Sequence, residues 1–207
     1  MPTLQASIPV SEITGLILAG GRGSRMGGID KGLVLLNGRP MVAHVVERLR
    51  PQVSTVLINA NRNLEQYRAH GFPVVSDQAS GFLGPLAGMA SGLQAAATLY
   101  VVTVPCDSPL IGSDLVARLA AALTHEDADI AVAHDGERPH PVFLLVKRAL
   151  HDDLAAFLAG GGRKIDLWFA RHRVAVADFS DSPQAFLNVN DPDERAALES
   201  KLLEAAS

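Results

Sequence analysis

Near its amino terminus the chain carries a short run without a polar side chain, Gly15-Leu16-Ile17-Leu18-Ala19, that stops abruptly at Gly20-Gly21-Arg22-Gly23-Ser24-Arg25-Met26-Gly27-Gly28, nine residues of which five are glycine. The run is too short for a core helix and suits a strand buried on both faces. The glycines that follow are loop composition, because glycine weakens the interior of any regular element. A buried strand that opens into a long, conformationally permissive loop points to a parallel sheet with a ligand crevice at its strand ends.

The rest of the chain repeats this alternation. Met41, Val42, Val45, Val46 and Leu49 recur at helical spacing behind Pro40, which suits a helix start. Residues 53–59 read as a strand, 64–70 as a short helix and 73–77 as an extended segment. An Ala-rich helix follows Gly84-Pro85 and ends near residue 97. Then come a β-branched strand over 99–104, a helix over 113–123 and a strand over 129–133. The second half is less regular, with a strand at 142–146, a helix at 149–158, a turn at Gly160-Gly161-Gly162, a strand at 173–177 and a terminal helix at 192–205. Ile165, Trp168 and Phe169 form an apolar face at i, i+3 and i+4, so Trp168 is read as core ahead of a ligand-stacking role. The pattern predicts an α/β protein with three layers, a mostly parallel central sheet with helices on both faces. Residues 1–13 read as a loose extension and 14–207 as a single domain, with no linker between.

Composition narrows the class of function. The 18 Lys and Arg residues are outnumbered by 22 Asp and Glu, a net charge of −4, so nucleic acid binding through bulk positive charge is excluded. Cys106 is the single cysteine, which removes an internal disulfide and a Cys-rich metal site and is compatible with a reducing cytosol. No apolar run reaches the roughly 18 to 20 residues that span a bilayer, and the opening residues lack the pattern of a secretory leader.

The glycine loop is the sharpest chemical signal. Glycines let a backbone approach a ligand closely, and consecutive N–H groups cradle phosphate oxygens. Arg25 and Lys31 supply positive charge, the first as a rigid fork and the second as a movable point charge. Two familiar phosphate motifs do not fit. A dinucleotide fingerprint needs glycine where Met26 stands, and a Walker loop needs Gly-Lys-Ser/Thr where this chain has Asp30-Lys31-Gly32.

The stretch LAGGRGSRMGG…DKG over 18–32 resembles the signature of nucleoside-triphosphate-dependent nucleotidyltransferases. Asn59-Ala60-Asn61-Arg62, Gly84-Pro85-Leu86-Ala87-Gly88, Pro105-Cys106-Asp107 and Asn188-Val189-Asn190 narrow the resemblance to the molybdenum cofactor guanylyltransferases, over about 14–200. The resemblance implies a Rossmann-like nucleotidyltransferase fold. It also implies transfer of GMP from Mg-GTP to the terminal phosphate of molybdenum-bound molybdopterin, with release of diphosphate. Leu18, Ala19, Gly20, Lys31, Asn59, Asp77 and Asp107 would then handle the nucleotide, with Gly21 beside them, and Asp107 would bind Mg2+. The family setting is cytoplasmic and commonly monomeric, with transient contacts to cofactor-delivery proteins or apo-molybdoenzymes and with no membrane partner.

The residues allow further expectations. Asp107, at the end of an apolar strand, is placed either to meet a hard divalent cation through oxygen or to serve the turn that Ser108-Pro109 begins. Asp191 is a candidate second acid, although Asp191-Pro192 also starts a helix well. Asp77 offers an acceptor to the two N–H donors of a guanine edge, and Asn59 suits base or sugar. Asn188 and Asn190 would share one face of a strand, lining the acceptor cleft or tying down the last helix. His140, Arg163 and Lys164 are the further candidates for the anionic acceptor, with Arg138 behind them. Cys106, flanked by apolar residues, is read as a packed side chain ahead of a nucleophile. Catalysis would rest on placement and charge compensation rather than on a protein nucleophile. Competing functions are a cytidylyltransferase on the same cofactor, a sugar-1-phosphate nucleotidyltransferase, and a non-catalytic nucleotide-binding protein. Gly20 after Ala19 leans to guanine by family resemblance, and Lys31 together with Asp107 favours chemistry.

Overall fold

In the computed structural model, which describes residues 7–21, 30–78, 84–189 and 191–204, the first apolar run forms strand β1 (Ile13–Leu18). Its side chains alternate between the sheet's two faces. Ile13 and Ile17 join one buried cluster, and Leu16 joins the other. A strand apolar on both faces has to lie in the middle of a covered sheet. Accordingly β1 sits between β4 (Thr55–Asn59) and β6 (Tyr100–Pro105), parallel to both.

A two-residue hairpin, β2 (Leu35–Leu36) and β3 (Arg39–Pro40), turns through Asn37 and Gly38, both at positive φ, and leads into α1 (Met41–Leu49). Then follow α2 (Leu64–Arg68), β5 (Val74–Val75), α3 (Pro85–Ala95), α4 (Leu115–His125), β7 (Ile130–His134), β8 (Pro139–Lys147), α5 (His151–Ala159), α6 (Ile165–Phe169), β9 (Val174–Asp178) and α7 (Pro192–Glu204). Among the described residues the main sheet has seven strands in the order β5-β4-β1-β6-β8-β7-β9. Only β8 runs against the others. The expected mostly parallel, three-layer α/β fold is therefore present. Val42, Val45 and Leu49 of α1 and Leu115 and Leu119 of α4 cover one face. Leu86, Met89 and Leu93 of α3, Leu154 of α5 and Trp168 of α6 cover the other.

Trp168 is fully buried, and its indole N–H donates to Asp153 Oδ2 at 2.9 Å, so it is core, as its spacing predicts. Cys106 is buried as well, and burial, followed by the adjacent Asp107, pushes its thiol well above the ordinary range. A thiol held neutral in this way is a packing residue. Of the extension read over 1–13, the described part is docked. Ile8 packs on the core, Val10–Glu12 form a single turn, and Ile13 already belongs to β1.

The expectation that residues 186–190 lie along a strand is corrected. Pro183–Phe186 form a 3-10 turn, and residues 187–189 pass outside the sheet. The Phe-Leu-Asn-Val-Asn alternation imitates a strand. The Val189 N–H, however, donates to the Asp107 carbonyl at 2.9 Å across the strand ends rather than into a ladder. Among the described residues no helix is long and apolar enough to cross a membrane.

Candidate active site

After β1 the chain lays β4 and β5 on one side of it, then crosses to lay β6 on the other. A crevice forms outside the carboxyl ends of such strands, where the loops diverge. The register places Leu18 level with Asn59 of β4 and Pro105 of β6. Ala19 N–H donates to the Asn59 carbonyl at 2.8 Å and Cys106 N–H to the Leu18 carbonyl at 3.1 Å, which binds the three strand ends together. A cleft of about 420 Å³ opens there, lined by Leu18, Gly20, Gly21, Asn59, Asp77, Gly84, Pro85, Pro105 and Val142. Its size lies within the range of small-ligand sites.

Asp77 anchors one end of this cleft. Asn59 Nδ2 donates to its Oδ1 at 2.9 Å and Asn61 Nδ2 to its Oδ2 at 2.8 Å, while Asp77 N–H donates to Asn61 Oδ1 at 2.9 Å. The carboxylate is thereby fixed in one orientation. Two small residues make room for this arrangement. A Cβ on Gly20 would lie 2.9 Å from Asn61 Nδ2 and 3.1 Å from Asn59 Oδ1, and one on Gly88 would lie 2.4 Å from Asn59 Oδ1. Close approach, more than backbone freedom, is what glycine supplies at both positions.

Lys31 and Asp107, 76 residues apart in the chain, meet just beyond the end of β6, whose Pro105 lines the cleft. Lys31 Nζ donates to Asp107 Oδ2 at 2.9 Å, and both side chains are largely covered. Lys31 opens a single 3-10 turn over Lys31–Leu33, and Asp107 stands just beyond β6. The site therefore pairs a cation and an anion beside a polar-ended cleft, an arrangement suited to a phosphate chain with its counter-charge.

Residues 15–175 match the model of the MobA-like NTP transferase domain. The molybdenum cofactor guanylyltransferase of Shewanella loihica is 54% identical over 187 residues, covering 90% of this chain and 95% of that protein. The one from Shewanella sp. strain MR-4 is 53% identical over 191 residues, 92% and 97% of the two chains. The chain belongs to the molybdenum cofactor guanylyltransferase family. The crystal structure of molybdopterin-guanine dinucleotide biosynthesis protein A from Archaeoglobus fulgidus superposes with a TM-score of 0.77 at 20% identity. It covers 92% of this chain and 99% of its own, and shows the same fold.

The remaining candidates in this guanylyltransferase-family chain separate into two groups. Asn188 lies against Ser108, the neighbour of Asp107, and His140 lies against Phe186, two residues before Asn188. His140 stacks on Phe186 with ring centroids 4.5 Å apart, and its Nε2 lies 2.7 Å from Asp135 Oδ2. Two backbone N–H groups also bind Asp135, and together with His140 they hold its carboxyl well below the usual range. Asn188 Oδ1 accepts the Ser108 hydroxyl next to Asp107. Arg163 instead donates to the Leu158 and Gly162 carbonyls at the end of α5 and lines a second groove of about 380 Å³ with residues of α3 and α5. Lys164 is exposed, and its carbonyl opens α6. Asp191 Oδ1 accepts Glu194 N–H at 2.8 Å, the bond of a helix cap. Arg25 and Asn190 lie outside the described residues.

Sequence reasoning gave no role to Asn61, Asp30 or Tyr67. For Asn61 a signal existed, since it stands two residues after Asn59 at a strand end and so repeats its direction. Tyr67 carried none, because one aromatic in a short helix reads as core.

Proposed function

We infer that the protein transfers GMP from GTP to the terminal phosphate of molybdenum-bound molybdopterin, forming the guanine dinucleotide cofactor and releasing diphosphate. The observation that carries this reading is the Lys31–Asp107 ion pair two residues beyond Pro105, which lines the cleft together with Asp77, in a chain 54% identical to a molybdenum cofactor guanylyltransferase.

Asp77 supplies the base preference. Guanine presents two adjacent N–H donors, N1–H and N2–H, whereas cytosine and adenine each present a donor beside an acceptor. A carboxylate oriented by two carboxamides meets the first pattern and repels the second. The Gly20 and Gly21 backbone lies along the same cleft and approaches the nucleotide closely, as glycine permits. Lys31 neutralises phosphate charge and guides diphosphate away as it departs.

The donor set fits a single Mg2+. Among the described residues no group of three or more His, Cys, Asp or Glu side chains is arranged to hold a metal by itself. Mg2+ needs few protein ligands, since it keeps water and takes phosphate oxygens. Asp107 would hold it, and when bound it adds positive charge where the phosphates carry negative charge. In the transfer, an oxygen of the acceptor phosphate forms a bond to the α-phosphorus, and the bond from that phosphorus to the β-bridging oxygen breaks. The acceptor phosphate is already anionic, so no side chain has to remove a proton. The protein's contribution is alignment and charge compensation. Asn188, bonded to Ser108 beside Asp107, and His140, stacked on Phe186 of the same segment, are the acceptor-side residues of this reading.

The test is a product assay with GTP, CTP or ATP and loaded molybdopterin in Mg2+, following diphosphate and the dinucleotide. A guanine dinucleotide formed with GTP at least about tenfold faster than its CTP counterpart is expected from one charged hydrogen-bonding contrast. Equal rates with GTP and CTP would overturn the base assignment, and diphosphate release without any dinucleotide would overturn the acceptor.

A further inference from the structure

Lys31 is flanked by two residues that meet one buried phenol. On its amino side, the Asp30 carboxylate is only 6% exposed, and two hydrogen-bond donors and one guanidinium converge on it. Tyr67 Oη donates to Oδ1 at 2.5 Å, Asn63 Nδ2 to Oδ2 at 3.0 Å, and Arg62 Nε lies 3.5 Å from Oδ2. On the carboxyl side stands Gly32, where a Cβ would come within 2.5 Å of Tyr67 Oη and 3.2 Å of Cys106 Sγ. The Tyr67 hydroxyl is therefore wedged between the neighbours of Lys31. The same contact reaches Cys106, whose successor Asp107 receives the lysine ammonium.

All three groups that meet Asp30 come from residues 62–67. Asn63 holds a left-handed φ of 51° there, an uncommon conformation for a residue other than glycine. Arg62 also donates through Nη2 to the Gly21 carbonyl at 3.4 Å, so one guanidinium touches both Gly21, on the cleft wall, and Asp30. Burial first, then Cys106 and Asp30, push the Tyr67 phenol far above its ordinary range, so it remains a donor wherever the protein is folded. Burying a carboxylate is costly unless it is paired and hydrogen-bonded, and residues 62–67 supply both, which fixes Asp30 in place.

We propose that Tyr67, acting through Asp30, is a positioning residue that sets the Lys31 ammonium for the triphosphate of the nucleotide. The proposal rests on the transferase reading above for the identity of that phosphate chain. Tyr67 touches no substrate atom in it. Its effect is to remove backbone freedom on either side of Lys31.

The experiment is a double-mutant cycle on the full chain with Tyr67→Phe, Lys31→Ala and both together. Kinetics with GTP and loaded molybdopterin are combined with calorimetric affinity for inorganic diphosphate in Mg2+, at a temperature where circular dichroism shows each variant folded. Tyr67→Phe is expected to lower kcat and diphosphate affinity about tenfold in the Lys31 background, as loss of one hydrogen bond to a charged group does. In the Lys31→Ala background it should lower them less than about twofold, since the residue it acts through is gone. Equal losses in both backgrounds, or a folded Tyr67→Phe chain with unchanged values, would overturn the proposal. Asp30→Asn, near in size and shape, runs the same cycle should Tyr67→Phe not fold. If the parent chain makes no guanine dinucleotide, the transferase reading fails by itself. The diphosphate arm still decides whether Tyr67 acts through Lys31.

Discussion

At the scale of single residues, the proposed site brings opposed charges close without full contact to water. Lys31 and Asp107 are each other's partner at 2.9 Å, with side chains 21% and 12% exposed. A pair this covered keeps more of its attraction than a surface pair does, yet water still reaches the lysine. Asp107→Asn keeps the size of the side chain and deletes the charge that both Lys31 and a divalent cation would meet. It is expected to lower kcat/KM for GTP by about 100-fold or more, the scale of losing one charge-stabilising group in an enclosed site. The melting temperature should shift by only a few degrees. Steady-state kinetics and a thermal melt check both halves of this prediction, and retained turnover at ordinary Mg2+ would remove Asp107 from the mechanism.

At the scale of elements, helix α3 shows how one surface serves both packing and ligand geometry. Its start is set by Gly84 at φ 80°, which a residue with a Cβ adopts only under strain, and by Pro85 in the first turn. One turn in, Gly88 faces Asn59 and Leu18. The next turn brings Gly92 against Leu16, where a Cβ would fall 2.2 Å from Leu16 Cδ2. Gly92→Ala therefore overfills a closed interface, which costs about 1–3 kcal/mol. For a chain of this length that lowers the melting temperature by roughly 2–10 °C, with kcat unchanged in the folded protein. Gly88→Ala should instead raise the KM for GTP as well, because the new methyl pushes on the amide that holds Asp77. If both variants changed only stability, Asn59 would be no part of the nucleotide site.

At the scale of the whole molecule, several carboxylates titrate low because other elements reach them. For Asp129, burial works upward, but the Lys147 ammonium and the Arg173 backbone N–H outweigh it. For Asp153, burial is again opposed, by the Trp168 indole, Arg171 and His172. Asp135 is held down by the Arg138 N–H first, then by His140 and the Glu137 N–H. These groups have folded values below the ordinary 3.8. Their contribution is thus complete above that pH and is lost as the pH falls through the lower folded values. The urea midpoint should fall as the pH drops below about 4. Asp153→Asn should flatten part of that limb, since it unties α5 from α6. An unchanged acid limb in Asp153→Asn would show that this cluster does not couple the two helices.

Much of the fold followed from side-chain patterning alone. Strand β1, its glycine sequel and the later alternation of strand and helix are short-range properties, since apolar periodicity and glycine content act within a few residues. Lys31, Asp77 and Asp107 stood out as candidates for the same reason: each stands where a predicted strand or loop ends. Contacts between distant segments were not. Nothing local says that Asn61 clamps Asp77, that Tyr67 reaches Asp30, or that Arg163 is taken up by carbonyls at the end of α5. The Asn188 segment was misread as a strand because alternation is the same whether a chain enters a ladder or crosses strand ends. The partner of Val189 N–H, the Asp107 carbonyl, decides between them. The sequence by itself determined the elements and the kinds of charge available to the site. Only the tertiary structure decided which charges meet, because hydrogen bonds and ion pairs depend on distances that chain separation does not encode.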